Sequence, residues 1–162
     1  MLKCGDIPKG AQLLLVFGEI DIRCQIPKSV LSGRPVEEAV NTTIERFMKL
    51  PHYLKSKGYR PTVWHPSLTA RHEPSDENLP ESPLPYVGTQ ELRNEICDLY
   101  CARLREACLD QAIGISGLES CPSLDDRKYF LDDHHLSQNA MPAALFQLVG
   151  DGVLRIKAAN KS

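Results

Sequence analysis

Several absences bound what this sequence can be. No apolar run approaches the ~20 residues that a bilayer-spanning helix needs; the longest is Leu13 to Phe17. The first residues also lack the basic and apolar regions of a secretory leader. The expectation is a soluble, cytoplasmic protein with no membrane partner. An excess of either charge is missing too: 19 basic side chains stand against 21 acidic ones, a net charge of −2. That balance gives no broad electrostatic reason to expect a nucleic-acid partner. No C-x-x-C occurs among the six cysteines, and a chain of this length needs no disulfide framework to hold its core. Reduced thiols are expected, with no bound metal and no cofactor. No internal repeat is visible, and 162 residues suit one domain spanning positions 1–162.

What is present has the order of a layered α/β domain. Leu13 to Phe17 is apolar throughout and closed by Gly18, as expected of a strand buried on both faces of a parallel sheet. Pro35 opens a helix with Val36, Val40, Ile44, Phe47 and Met48 on one face, which Pro51 should kink or end. Residues 60–65 form a second strand after the turn-forming Gly58. Residues 66–86 are rich in proline, serine and charge and read as a long surface loop. Thr89 then caps a helix with Leu92, Ile96, Leu99, Tyr100 and Leu104 at helical spacing, with Arg93 and Arg103 intruding on that face. Cys97, Cys101 and Cys108 share one edge of it and pack as small semi-apolar residues. A third short strand is expected over 112–115 and a closing helix over 140–149. Alternation of strand and helix predicts a parallel sheet with helices on both faces.

Ionisable residues gather where such a sheet would carry a site, at the carboxyl ends of its strands. Glu19, Asp21 and Arg23 follow the first strand directly, and His65 ends the second. Arg23 is suited either to a local ion pair or, through its planar fork of donors, to an anionic or polyhydroxylated ligand. Near the C-terminus, Asp132-Asp133-His134-His135 places an Asp three residues before a His, so one short segment holds a base and a carboxylate to orient it. The same residues would serve equally as a helix cap with surface histidines.

The D-x-x-H block before the last helix, together with Gly18-Glu19-Ile20-Asp21-Ile22-Arg23, resembles the SGNH, or GDSL-like, hydrolase superfamily, in particular its G-E-I-D-x-R branch. The resemblance runs from about Ala11 to Val149 and implies a flavodoxin-like three-layer sandwich with a short parallel sheet. It also implies an ester or acyl hydrolase, with O-acylated carbohydrate as one substrate class. It makes His135 the general base and Asp132 its orienting partner. Gly18, Glu19, Asp21, Arg23 and His65 then fall on the substrate side.

The chain departs from that pattern in two places. Ile20 stands where the family uses an asparagine amide as an oxyanion donor. The G-D-S block that would supply the serine has no counterpart, since Cys4-Gly5-Asp6-Ile7 has no serine and no buried strand before it. The expectation is therefore an N-terminally incomplete domain missing its first strand, which leaves flanking strands exposed. A non-catalytic binding or interaction domain on the same fold is the alternative. The acyl group, the alcohol and the oligomeric state stay open.

Overall fold

The computed structural model of the protein describes residues 7–66, 86–117 and 141–154. The elements are β1 (Gln12–Val16), α1 (Ile26–Leu31), α2 (Val36–Ser56), β2 (Arg60–Trp64), α3 (Gln90–Asp110), β3 (Gly114–Ser116) and α4 (Met141–Gly150). The three strands make one parallel sheet in the order β1-β2-β3. Gln12 pairs with Arg60 and Val16 with Trp64, while Trp64 pairs onward with Ser116. The expected α/β class with a short parallel sheet is therefore what the chain forms.

Neighbouring residues in a strand point to opposite faces, and β2 uses both. On one face Val63 joins Ile22, Ile26, Val40, Ile44, Met48, Ile96, Tyr100 and Leu104 in a core built by α2 and α3. On the other, Trp64 packs with Leu148 of α4 and with Val153 beyond it. Trp64 is a core residue, as its place in a strand suggests. The α2 stripe falls as its spacing predicts, and Thr89 caps α3 by accepting a hydrogen bond from the Leu92 amide at 3.2 Å.

Three expectations need correcting. β1 is not buried on both faces: Gln12, Leu14 and Val16 face outward and are exposed. Among the described residues the strand lies at the sheet's edge, and the α4 cluster reaches Trp64 without including a residue of β1. Strand composition alone cannot tell an edge from a centre. The direct β1–β2 pairing over five residues also means that no gap separates these two strands.

Pro51 does not end α2, which continues to Ser56. A proline inside a helix forfeits one backbone hydrogen bond and costs about 3 kcal/mol. Here the ring is fully buried, and the turn beyond it buries Leu54 as well, so apolar burial offsets the loss.

The third strand begins at Gly114, two residues later than expected. Residues 111–113 instead close α3: Ala112 adopts φ +49°, with Ala112 N donating to Leu109 O at 3.0 Å and Ile113 N donating to Cys108 O at 2.8 Å. This paired pattern is a Schellman cap, a role that glycine usually fills. Lys55 of α2 secures it, its Nζ donating to Gln111 O at 2.5 Å and Ala112 O at 3.1 Å.

The backbone passes from β1 to the next helical stretch through Gly18, at φ +103°. A Cβ there would lie 2.9 Å from Pro66 Cγ and 3.0 Å from the Tyr100 hydroxyl, whereas Gly33, at φ +97°, has open space. Gly33→Ala should cost about 1 kcal/mol in urea unfolding, the cost of a left-handed alanine. Gly18→Ala should cost at least about 2 kcal/mol, because a clash adds to the same dihedral cost. Ala112→Gly should change stability in the opposite direction, by about +0.5–1 kcal/mol. Equal losses for the two glycine variants would refute the close approach.

Candidate functional site at the carboxyl edge of the sheet

Because the strands are parallel, their carboxyl ends share one edge. β1 leads there into Gly18, β2 into His65-Pro66 and β3 into Gly117. The packing is tight: a Cβ on Gly117 would come 2.5 Å from His65 Cβ, and His65 N donates to Ser116 O at 2.7 Å. The sequence-predicted Gly18, Glu19, Asp21, Arg23 and His65 therefore belong to one edge. Asp132 and His135 lie outside the described residues, as does nearly all of the expected 66–86 loop.

Residues 19–31 run as one helical stretch that is π-wound over Asp21–Gln25. The Gly18 carbonyl accepts from Ile22 N at 3.0 Å, and Ile26 N returns to Asp21 O. Such single π-turns recur at functional sites, where they re-aim side chains. Here the turn buries Ile22, Arg23 and Cys24 together. Buried Arg23 forms an ion pair with Glu19, so of its two expected roles the local ion pair is the one seen.

The Tyr86 ring has two guanidinium groups close to it, with Arg23 Cζ 5.4 Å and Arg93 Cζ 5.2 Å from its centre. Both distances are within the range of a cation–π contact. Val87 N donates to Arg23 O at 3.0 Å, and Arg93 donates to Gly88 O at 2.6 Å and Gln90 Oε1 at 2.9 Å. Arg93, only 3% exposed, thus fixes the start of α3 against the π-turn. This explains why an arginine interrupts the apolar face of that helix.

Tyr100 lies below the edge, fully buried, with its hydroxyl under Gly18. Burial and the nearby Asp21 carboxylate raise its pKa, so the phenol stays protonated. Burial, with Glu19 adding repulsion, also raises the pKa of Asp21 above the usual carboxylate value. His65 shifts the other way. Burial chiefly lowers its pKa to about 4, Arg105 contributes in the same direction, and the hydrogen bond to Pro66 O opposes them. The Nδ1 donates to that carbonyl at 3.0 Å, which leaves the Nε2 lone pair of the neutral ring as the basic position.

No residue cluster among those described could hold a metal ion. The Cys97 and Cys101 sulfurs approach to 3.9 Å inside the core. A hydrogen bond between these thiols, followed by burial, pushes the Cys101 pKa up, and burial brings Cys108 to about 11. These are packed thiols rather than ligands. Among the described residues, no helix is long and apolar enough to cross a membrane.

Sequence reasoning missed Tyr100 as a site residue, because its position on the apolar stripe marked it only as core. Tyr86 and Arg93 were missed because their partner, Arg23, lies on a separate segment. No protein-family model matches the chain, and neither the curated proteins nor the solved structures yield a match.

His65 makes stability depend on pH in a defined direction. Its folded pKa, about 4, lies below the ordinary 6.5, so between these values the unfolded chain binds more protons. Stability then falls as the pH drops through 6.5 and levels off near 4. Urea unfolding at pH 7 and pH 5 should differ by about 2 kcal/mol from this group. His65→Asn should remove most of that difference; a variant with the full pH dependence would show that the imidazole is not its source.

Proposed function

We propose that this edge is the substrate wall of an SGNH-like ester or acyl hydrolase domain. The observation that supports the reading best is the close approach of Gly18, which opens the Glu19–Arg23 segment, to Pro66, next to His65, over the buried Tyr100 hydroxyl. It gathers a guanidinium, carboxylates and a neutral imidazole where open α/β sheets bind ligands. Asp132 would orient His135, and His135 would take the proton of the attacking hydroxyl. The Arg23 guanidinium would donate toward an ester oxygen while Glu19 balances its charge.

The covalent two-step route needs a serine on a strand-to-helix turn. Among the described residues, Ser29 lies in α1, Ser32 just after it, Ser56 at the end of α2 and Ser116 in β3. None occupies such a turn. The chain would then bind an acyl ester and transfer its acyl group slowly to an external alcohol or water. His135 would take the proton of the attacking hydroxyl as its oxygen bonds to the acyl carbon, and return it to the ester oxygen as that C–O bond breaks and the alcohol leaves.

A second reading, a binding domain without chemistry, draws on Ile20. Its side chain is partly exposed at the start of the π-turn and offers no donor for a developing oxyanion.

Titration of the full chain with an aryl acetate separates the two. Saturable binding should weaken about tenfold in Arg23→Gln, as expected for loss of a charge-assisted hydrogen bond, with the circular dichroism spectrum unchanged. A serine-reactive phosphonate should not label the chain. Methanolysis of the bound ester should fall at least tenfold in His135→Ala while binding persists. Equal methanolysis with and without His135 would leave only the binding-domain reading. Absence of saturable binding would overturn both.

A further inference from the structure

Among the described residues β1 is paired on one side only, with β2. Arg60 N donates to Ala11 O at 2.9 Å, and successive residues of a strand send their backbone groups to opposite sides. Ala11, Leu13 and Leu15 therefore turn theirs toward β2, while the N–H and C=O groups of Gln12, Leu14 and Val16 point away from the sheet. The side chains of these three residues also share a face. Val16 pairs with Trp64, and paired residues project to the same side, here the side on which α4 covers Trp64. The α4 cluster stops short of β1, and Leu14 is 41% and Val16 61% exposed.

Proteins blunt an edge of this kind with charge, proline or a bulge. Gln12-Leu13-Leu14-Leu15-Val16 has no charged residue and no proline, and its register with β2 runs unbroken over five residues. A second copy of the same strand fits it. Antiparallel pairing centred on Leu14 sets Leu14 of one copy against Leu14 of the other, and Gln12 against Val16. These are the residues whose backbone groups point outward, so each pair can exchange two hydrogen bonds, and the two exposed leucines cover one another.

Charge selects the same direction. Lys9 and Arg60 are exposed at the amino end of β1, where Arg60 Nε donates to Gly10 O at 3.0 Å. At the carboxyl end Glu19 and Asp21 outnumber Arg23. Antiparallel pairing brings the basic end of one copy to the acidic end of the other, whereas parallel pairing would set like charges together. An unrelated strand would satisfy the backbone groups alone; a second copy matches backbone, apolar face and charge at once.

We infer that the chain forms a two-fold symmetric dimer through its β1 edges, joining two three-stranded sheets into one continuous sheet. The dimer does not depend on the function proposed above.

Sedimentation equilibrium of the full chain from about 1 μM to about 1 mM, with residue-resolved amide exchange, tests it. The mass should rise to twice the 18.1 kDa of one chain. With dimerisation, exchange at Gln12, Leu14 and Val16 should slow about tenfold or more, while the Leu13 and Leu15 amides stay slow at every concentration. Leu14→Lys should raise the dissociation constant about a hundredfold, because the symmetry axis sets two ammonium groups face to face. Leu109→Lys, at an exposed position on α3, should leave it unchanged. The exchange pattern of the wild-type chain decides the matter even where a variant fails to fold. A single-chain mass at every concentration would overturn the inference, as would a dimer that persists in Leu14→Lys or whose Gln12, Leu14 and Val16 amides exchange freely. Slow exchange at those amides in a monomer would show that another part of the same chain occupies the edge, and would overturn it equally.

Discussion

The arrangement of the molecule hangs on the contact of Gly18 with the Tyr100 phenol and Pro66. Three separate segments meet there: the exit of β1, the exit of β2 and the middle of α3. A hydrogen atom in place of a side chain lets the backbone turn left-handed directly over a buried aromatic ring. From that turn follow the start of the π-wound stretch and the burial of Arg23 and Ile22. A side chain at position 18 would displace all of these together, because the atoms it meets are a proline ring and a buried ring, both packed and unable to swing aside.

Electrostatics at the edge are kept local. The positive charge of Arg23 is balanced within one helical turn by Glu19, and its guanidinium shares the Tyr86 ring with Arg93. His65 contributes no charge at neutral pH. The result is a site that presents directional donors and acceptors without a strong net field, in keeping with the near-neutral balance of the whole sequence. Ligands would be selected by hydrogen-bond geometry more than by long-range attraction.

Long amphipathic segments were the most legible part of the sequence. α2 and α3 declare themselves through the periodic placement of Val40, Ile44 and Met48, and of Ile96, Tyr100 and Leu104, and Thr89 marks a helix start by its chemistry. Short elements were less so. Leu14 and Val16 are as apolar as core residues yet face outward, because burial depends on what packs above a strand and not on the strand itself. The Ala112 turn was hidden because it uses alanine where glycine is the usual marker. The polar edge after β1 was visible as a cluster of charges, whereas the approach of Arg23 and Arg93 to the Tyr86 ring was not, because it joins separate segments.

The thiols of α3 give the molecule an internal clock. Cys97, Cys101 and Cys108 are buried along one helix, and Cys24 lies buried in the π-turn. Alkylation requires a thiolate that a reagent can reach; the native packing withholds access to all four, and Cys101 and Cys108 are also held protonated. Each modification event must therefore wait for a local or global opening that exposes α3. The rate at which these four sulfurs react reads out how often the core breathes, with no probe added to the protein.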